Sequence, residues 1–304
     1  MSSEGSARPN VVALGGGHGL ATTLSAVRRY AGTLTAIVSV ADDGGSSGKL
    51  RDSWVGPAPG DIRRCLLSLA DTGQVWARAL DHRFGTGELA GHSLGNLVLV
   101  ALAETMGGVV PAAKEVGRLL GVEASVLPAT ETRVELKAEL ASGEVVAGQT
   151  SVSHAPSPVR RVWLEPGGPP APAEALEAIA AADQVVIGPG SLFTSILAAC
   201  AVPGILAALD ARSAGRVYVC NLRPQESETA GFDADAHLGA LAAHGVIVDA
   251  VACDPATVVG MPSVRGLTVL ANPRLVSRAM AKPNGHSHDP ALLAAALRDC
   301  LGAG

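Results

Sequence analysis

The sequence predicts an α/β fold: a Rossmann-like, doubly wound, mainly parallel sheet with a small antiparallel β insertion. Three observations predict it. Short apolar runs alternate with stretches of helical periodicity along most of the chain. Those runs are mostly apolar, without a polar face, as strands covered on both faces are. One region, residues 125–164, changes period and alternates polar with apolar residues.

The elements follow in order. "VVAL" (Val11–Leu14) reads as a strand ended by "GGGHG", with the amphipathic "LATTLSAVRRY" after it. "LTAIVSV" (Leu34–Val40) is a second buried strand. In "GPAPGDIRRCLLSLAD", Pro59-Gly60 marks a turn, Asp61 an N-cap, and Ile62 to Ala70 a helix. "GHSLGNLVLVALAETMG" repeats the turn-then-helix pattern with Ser93 as cap. Within 125–164, Val134, Leu136, Ala138 and Leu140 alternate and "SGE" supplies a turn, which predicts antiparallel strands. A loop over "EPGGPPAPAEA" leads into a helix opening at Pro172 to Glu174. "DQVVIGPGSLFTSILAACA" reads as strand, Gly-Pro-Gly turn, Ser191 cap and helix. "GRVYVCNL" and "VIVDAVACD" are further buried strands, and the Ala-rich tail from Ala291 closes as a helix. Residues 10–304 are therefore read as one domain, with residues 1–9 as a disordered N-terminus.

Composition narrows the class of protein. The chain has 304 residues, 48% apolar and 17% charged, enough to bury a sizeable core. Aromatics are only 3%, so Ala, Val, Leu and Ile must build that core. The formal net charge of −5 offers no bulk attraction to nucleic acid or to an anionic membrane. No run approaches the roughly 18 apolar residues of a membrane span, and "MSSEGSARPN" has no signal-peptide pattern. Cys65, Cys200, Cys220, Cys253 and Cys300 are scattered, which suits buried thiols in a reducing cytoplasm better than disulfides or zinc.

Several loops carry candidate chemistry. Gly15, Gly16, Gly17, His18 and Gly19 lie between strand and helix, where backbone N–H groups can meet a phosphate. Read from Gly15, the dinucleotide pattern G-x-G-x-x-G finds Leu20 at its sixth position, so a structural turn stands beside the nucleotide cradle. "VSVADDGGSSGKLRD" superficially resembles a P-loop, but Asp43 stands where the first Gly belongs and Leu50 where Ser or Thr belongs. What remains is a strand ending in Asp42 and Asp43, carboxylates suited to sugar hydroxyls or a metal on a diphosphate, and then a pliable flap containing Ser46 and Ser47. Gly188, Pro189, Gly190, Ser191 and Ser195 form a second candidate anion cradle. "GPGSL" is not the G-x-S-x-G nucleophile elbow. His92 beside Ser93 lacks an orienting acid, so acyl transfer is not favoured. Arg63 is a phosphate-directed candidate, and Asn96 and Asn221 are polar groups for the same edge. His286, His288 and Asp289 read as solvated surface.

The ordered set "GGGHGL", "VSVADDGGSSGKLR", "PAPGDIRRCLLSLAD", "GHSLGNLVLVAL", "VVIGPGSLFTSIL" and "VYVCNLRPQESETAGF" closely resembles the gluconeogenesis factor family, the YvcK type of the CofD-like superfamily. The resemblance runs from about Asn10 to Ala250. It implies a Rossmann-like core that binds a UDP-sugar such as UDP-N-acetylglucosamine. It also implies a regulator of cell shape, cell-wall precursor supply and growth on gluconeogenic carbon. The superfamily also holds 2-phospho-L-lactate transferase, which makes a precursor of coenzyme F420, so a magnesium-dependent phosphotransferase using Asp43 is the alternative. "GGGHGL" and "GGSSG" favour the regulator. His18 stands where the family has Thr, and Ala58 departs from its "PPGD". Residues Thr257–Pro262 lack the family's Tyr, and Ser287-His288-Asp289 departs from its "RHD", positions associated with UDP-sugar binding. The expected ligand is a nucleotide diphosphate, with NAD or GDP as opportunistic occupants and no cofactor required by a regulator. The expected partner is an unidentified amino-sugar or cell-wall enzyme; a homo-oligomer is left open. Neither nucleic acid nor a membrane span is expected.

Overall fold

The apolar runs become a seven-stranded sheet in the computed structural model, which describes residues 8–50, 54–212, 215–225, 228–256 and 273–301. Its strands are β1 (Asn10–Gly15), β2 (Thr33–Val38), β3 (Ser125–Pro128), β7 (Gln184–Ile187), β8 (Arg216–Val219), β9 (Ala250–Cys253) and β10 (Arg274–Ser277). The order across the sheet is β10-β9-β8-β7-β1-β2-β3, and every pairing is parallel. Parallel strands need crossovers, and those crossovers cover both faces, so the strands carry apolar residues on both sides. Val11 to Leu14 are each no more than 2% exposed. Burying a Val, Leu or Ile side chain contributes ~1.5–3 kcal/mol, and this sheet holds its core together mainly through such residues.

Helix α1 (Gly17–Val27) packs on β1 and β2. Beside it run α3 (Gly60–Leu69) and α12 (Pro290–Leu301), and α6 (Val109–Leu119) lies against β3. Helix α8 (Ala173–Ala181) lies against β1, β2 and β3, with α10 (Pro203–Asp210) beside it. The remaining segments are α2 (Gly45–Leu50), α4 (Val75–Asp81), α5 (Leu94–Met106), α7 (Gln149–Ser153), α9 (Ala198–Cys200) and α11 (Ala234–Ala243). A π-helical turn, Leu192–Leu197, precedes α9; the Ile196 N–H reaches back to the Ser191 carbonyl at 3.0 Å.

The antiparallel sheet is β5-β4-β6, from β4 (Glu135–Leu140), β5 (Val145–Ala147) and β6 (Val159–Glu165). It starts later than residue 125, because Ser125–Pro128 pairs in parallel with β2 and belongs to the main sheet. Leu136, Ala138 and Leu140 are fully buried on one face, as their alternation predicts. Of the segment expected to be disordered, residues 1–7 lie outside the described residues. Pro9 is held, its carbonyl accepting the Gly32 N–H at 2.8 Å. Cys65, Cys200, Cys220 and Cys253 are buried free thiols, and Cys300 is half-buried. Among the described residues no single helix is long and apolar enough to cross a membrane.

Candidate functional site

The strand order reverses at β1. From β1 the chain builds outward through β2 and β3, and on the other side lie β7, β8, β9 and β10. Open α/β sheets bind ligands in the crevice at the carboxyl ends of the strands flanking such a reversal. Here those strands are β1 and β7, and their ends are the two glycine loops.

The loops touch. A Cβ built on Gly19 would stand 2.0 Å from the Pro189 carbonyl oxygen, so only glycine lets them close. A Cβ on Gly16 would meet Asp61 Oδ2 at 2.6 Å. The Thr23 hydroxyl donates to the Gly188 carbonyl at 2.9 Å, tying α1 to the second loop. Beside the contact opens a cavity of about 270 Å³, lined by both loops, by Asn221 to Gln225 after β8, and by His286 to His288 of the tail. A cavity of about 490 Å³ lies at the opposite edge, where β2 and β3 begin; parallel sheets seldom use that edge for ligands.

The hydrogen bonds around the loops correct several expectations. Asp61 does not cap α3. Its Oδ2 accepts the Gly17 N–H at 2.7 Å, at the N-terminus of α1, while Oδ1 pairs with Arg64. Burial pushes the Asp61 carboxyl above the usual range, with Asp42 adding to the rise and Arg64 opposing it. The second loop is not an open anion cradle either. The Gly190 N–H donates to Asn221 Oδ1 and the Gly190 carbonyl accepts from Asn221 Nδ2, both at 2.9 Å. The Glu228 carboxylate accepts the N–H groups of Phe193 (3.2 Å) and Thr194 (3.4 Å), and also the Thr194 hydroxyl. Ser191 stands at the N-cap position but its side chain makes no capping bond; its Oγ accepts from Gln225 Nε2 at 3.0 Å. Ser195 is buried beneath Gly16.

Three further candidates turn inward. Arg63 is buried, donating Nε to Asn96 Oδ1 at 3.1 Å and Nη1 to Asp81 at 2.7 Å. It fastens α3 to α5 and α4 instead of meeting a phosphate, and Asn96 is its partner instead of an edge group. Ser93 stands at the N-cap position of α5, but its hydroxyl donates to the Leu80 carbonyl at 3.3 Å instead of making a capping bond.

The "GGSSG" segment is no pliable flap. It forms α2, with Ser46 and Ser47 buried. Ser46 Oγ accepts the Ser93 N–H at 3.1 Å, and Lys49 Nζ donates to the Ala90 carbonyl at 2.7 Å. Asp42 accepts the Gly44 N–H at 3.0 Å. Asp43 Oδ1 accepts the Thr150 N–H at 2.9 Å and its hydroxyl at 2.6 Å, so this carboxylate docks α7 of the insertion. Among the described residues no group of three or more His, Cys, Asp or Glu is placed to hold a metal.

Of the tail residues expected at the solvated surface, only His288 is buried. His286 is exposed, but His288 is buried and lines the cavity. Its ring bonds to the Cys220 backbone, and burial lowers its pKa to about 4, so the imidazole is neutral. Beside it, Asp254 accepts the N–H groups of Met280 (2.7 Å) and Ala281 (2.8 Å), fixing the entry to the tail. Thr257–Pro262 lie outside the described residues. Glu228, Gln225, Arg223 and Asp254 were missed by sequence reasoning. The polar density of "NLRPQESET" just past a strand end was the available signal for the first three.

Comparison with known proteins agrees with this fold. The family model described as 2-phospho-L-lactate transferase CofD matches residues 11–262. A putative gluconeogenesis factor of Mycobacterium tuberculosis is 44% identical over 306 residues, covering 94% of this chain and 89% of the relative. The gluconeogenesis factor of Halalkalibacterium halodurans is 41% identical over 246 residues, covering 80% of this chain and 76% of the relative. The crystal structure of a UPF0052-family protein from Bacillus halodurans superposes with a TM-score of 0.90 at 34% identity, covering 96% of this chain and all of that one. With a family model matching most of the chain and relatives more than 40% identical over most of both lengths, the chain belongs to the CofD family and, within it, to the gluconeogenesis factors.

Proposed function

We propose that the chain is a regulatory protein that binds a nucleotide sugar of the UDP-N-acetylglucosamine kind. The observation that carries this reading is the cavity at the β1/β7 reversal. Two glycine loops close its floor, Asn221 and Gln225 brace the second of them, and His18 and Thr22 add polar groups to its lining. A ligand of mixed polarity, with sugar hydroxyls and a diphosphate, suits such a wall. The family speaks for a regulator that adjusts cell-wall precursor supply and cell shape on gluconeogenic carbon. Its reader would be a cytoplasmic enzyme of amino-sugar or cell-wall supply.

A second reading is a phosphotransferase of the 2-phospho-L-lactate transferase type, favoured by the description of the matching family model. Calorimetry with UDP-N-acetylglucosamine, GDP and NAD separates the two, together with a turnover assay on a guanosine diphospho-lactate and a deazaflavin alcohol. The regulator reading expects saturable UDP-sugar binding without turnover. Formation of the phospho-lactyl product would overturn it.

A further inference from the structure

The N-terminus of α1 and that of the π-helical turn face the reversal, and each already holds a carboxylate of the chain itself. Asp61 takes the Gly17 N–H at the first, and Glu228 takes those of Phe193 and Thr194 at the second. The positive ends that normally receive phosphate are thus partly neutralised from within. An anionic ligand must find its countercharge elsewhere.

Among the residues lining the cavity, Arg223 is the one lysine or arginine. Its Nε donates to the Gly285 carbonyl at 3.1 Å, which orients the guanidinium between the loop after β8 and the tail. Neither terminal nitrogen meets a carboxylate among the described residues. The Gly285 bond leaves them as a planar fork at the cavity wall, matched to two oxygens of one phosphate. His18 and His286 stand on the same wall and add hydrogen-bonding nitrogens.

We propose that Arg223 is the phosphate-binding residue of this site, gripping the diphosphate of the ligand while holding the tail at Gly285. The assignment rests on reading the cavity as the site of an anionic nucleotide. It adds what that reading left unassigned, the source of the positive charge. It also couples the tail to occupancy, because one guanidinium serves both.

The test uses the full chain and two probes, inorganic pyrophosphate and UDP-N-acetylglucosamine, titrated calorimetrically at two salt concentrations. Wild-type protein should bind pyrophosphate with an affinity that falls as salt rises. Arg223→Gln should weaken pyrophosphate at least about tenfold, the scale of a lost charged hydrogen bond, and flatten the salt dependence. Arg223→Lys keeps the charge without the fork and should fall between. Equal pyrophosphate affinity in wild type and Arg223→Gln overturns the assignment, as does a wild type that binds no pyrophosphate at millimolar concentration. A lysine variant as weak as the glutamine variant also overturns it, since the arginine would then act through the tail alone. If Arg223→Gln loses pyrophosphate while the UDP-sugar binds no more tightly than pyrophosphate, Arg223 stands and the nucleotide-sugar reading falls.

Discussion

The two glycine loops look alike in sequence and are held in different ways. The first, Gly15–Gly19, leans on a single carboxylate, Asp61, which is itself balanced by Arg64. The second, Gly188–Ser191, is clasped from three sides: Asn221 on Gly190, Gln225 on Ser191, and Glu228 on the turn that follows. Glycine between a strand and a helix therefore does not by itself mark a phosphate cradle. What decides is where the loop's N–H groups already go.

The contact between the loops gives the largest expected effect. Gly19→Ala would drive its Cβ into the Pro189 carbonyl, backbone that has no side-chain freedom to yield. We expect a loss of ~3–5 kcal/mol, in the range reserved for overpacking or strain at a fixed backbone. Urea denaturation measures it. A loss under about 1 kcal/mol would mean that the loops separate easily, and the shared floor of the cavity with them.

Next come the two carboxylates, compared directly. Glu228→Gln leaves the buried donors of Thr194 and Phe193 and the half-buried hydroxyl of Ser153 competing for one carbonyl oxygen, and should cost about 2–3 kcal/mol. Asp61→Asn should cost less at neutral pH. Burial already disfavours the Asp61 charge, and the amide oxygen can still accept the Gly17 N–H. The pH dependence sharpens this. The folded-state pKa of Asp61 lies above its unfolded value, so its contribution is fullest below the unfolded pKa and is lost as pH rises through the folded one. Stability of Asp61→Asn relative to wild type should therefore improve between acidic and neutral pH. A relative stability that worsens on going to neutral pH would show the Arg64 pair outweighing burial.

The same contrast explains what the sequence made legible. The fold was readable because strand and helix periods are local: Val11–Leu14, Ala36–Val38 and Val185–Ile187 are uniformly apolar whatever surrounds them. The loops were readable for the same reason. Their partners were not. Asp61 lies 44 residues from Gly17, and Glu228 lies 34 from Thr194, so nothing near either residue reveals its acceptor role. A local reading made Asp61 a cap, Ser191 a cap and Arg63 a phosphate ligand, each chemically sensible and each overruled by a long-range bond. His288 misled for a like reason. Gly, Pro and Asn around it signal a loop, and only the strand end at Cys220 makes that loop bury an imidazole.

The smallest expected effect belongs to Asp43, outside either loop. Its carboxylate accepts two bonds from Thr150, an exposed residue at the start of α7, and so joins β2 to the insertion. In Asp43→Asn the amide oxygen keeps an acceptor for Thr150, and partly exposed bonds of this kind contribute about 0.5–1.5 kcal/mol when lost outright. A destabilisation below about 1 kcal/mol is therefore expected in chemical denaturation. Affinity for UDP-N-acetylglucosamine is expected to stay within roughly threefold of wild type, because Asp43 is already engaged by Thr150 of the insertion. A tenfold loss of that affinity with stability unchanged would return Asp43 to the site. It would also mean that the insertion lets go of Asp43 when the ligand arrives, making the β2 end, rather than the second glycine loop, the partner of Gly15–Gly19 in binding.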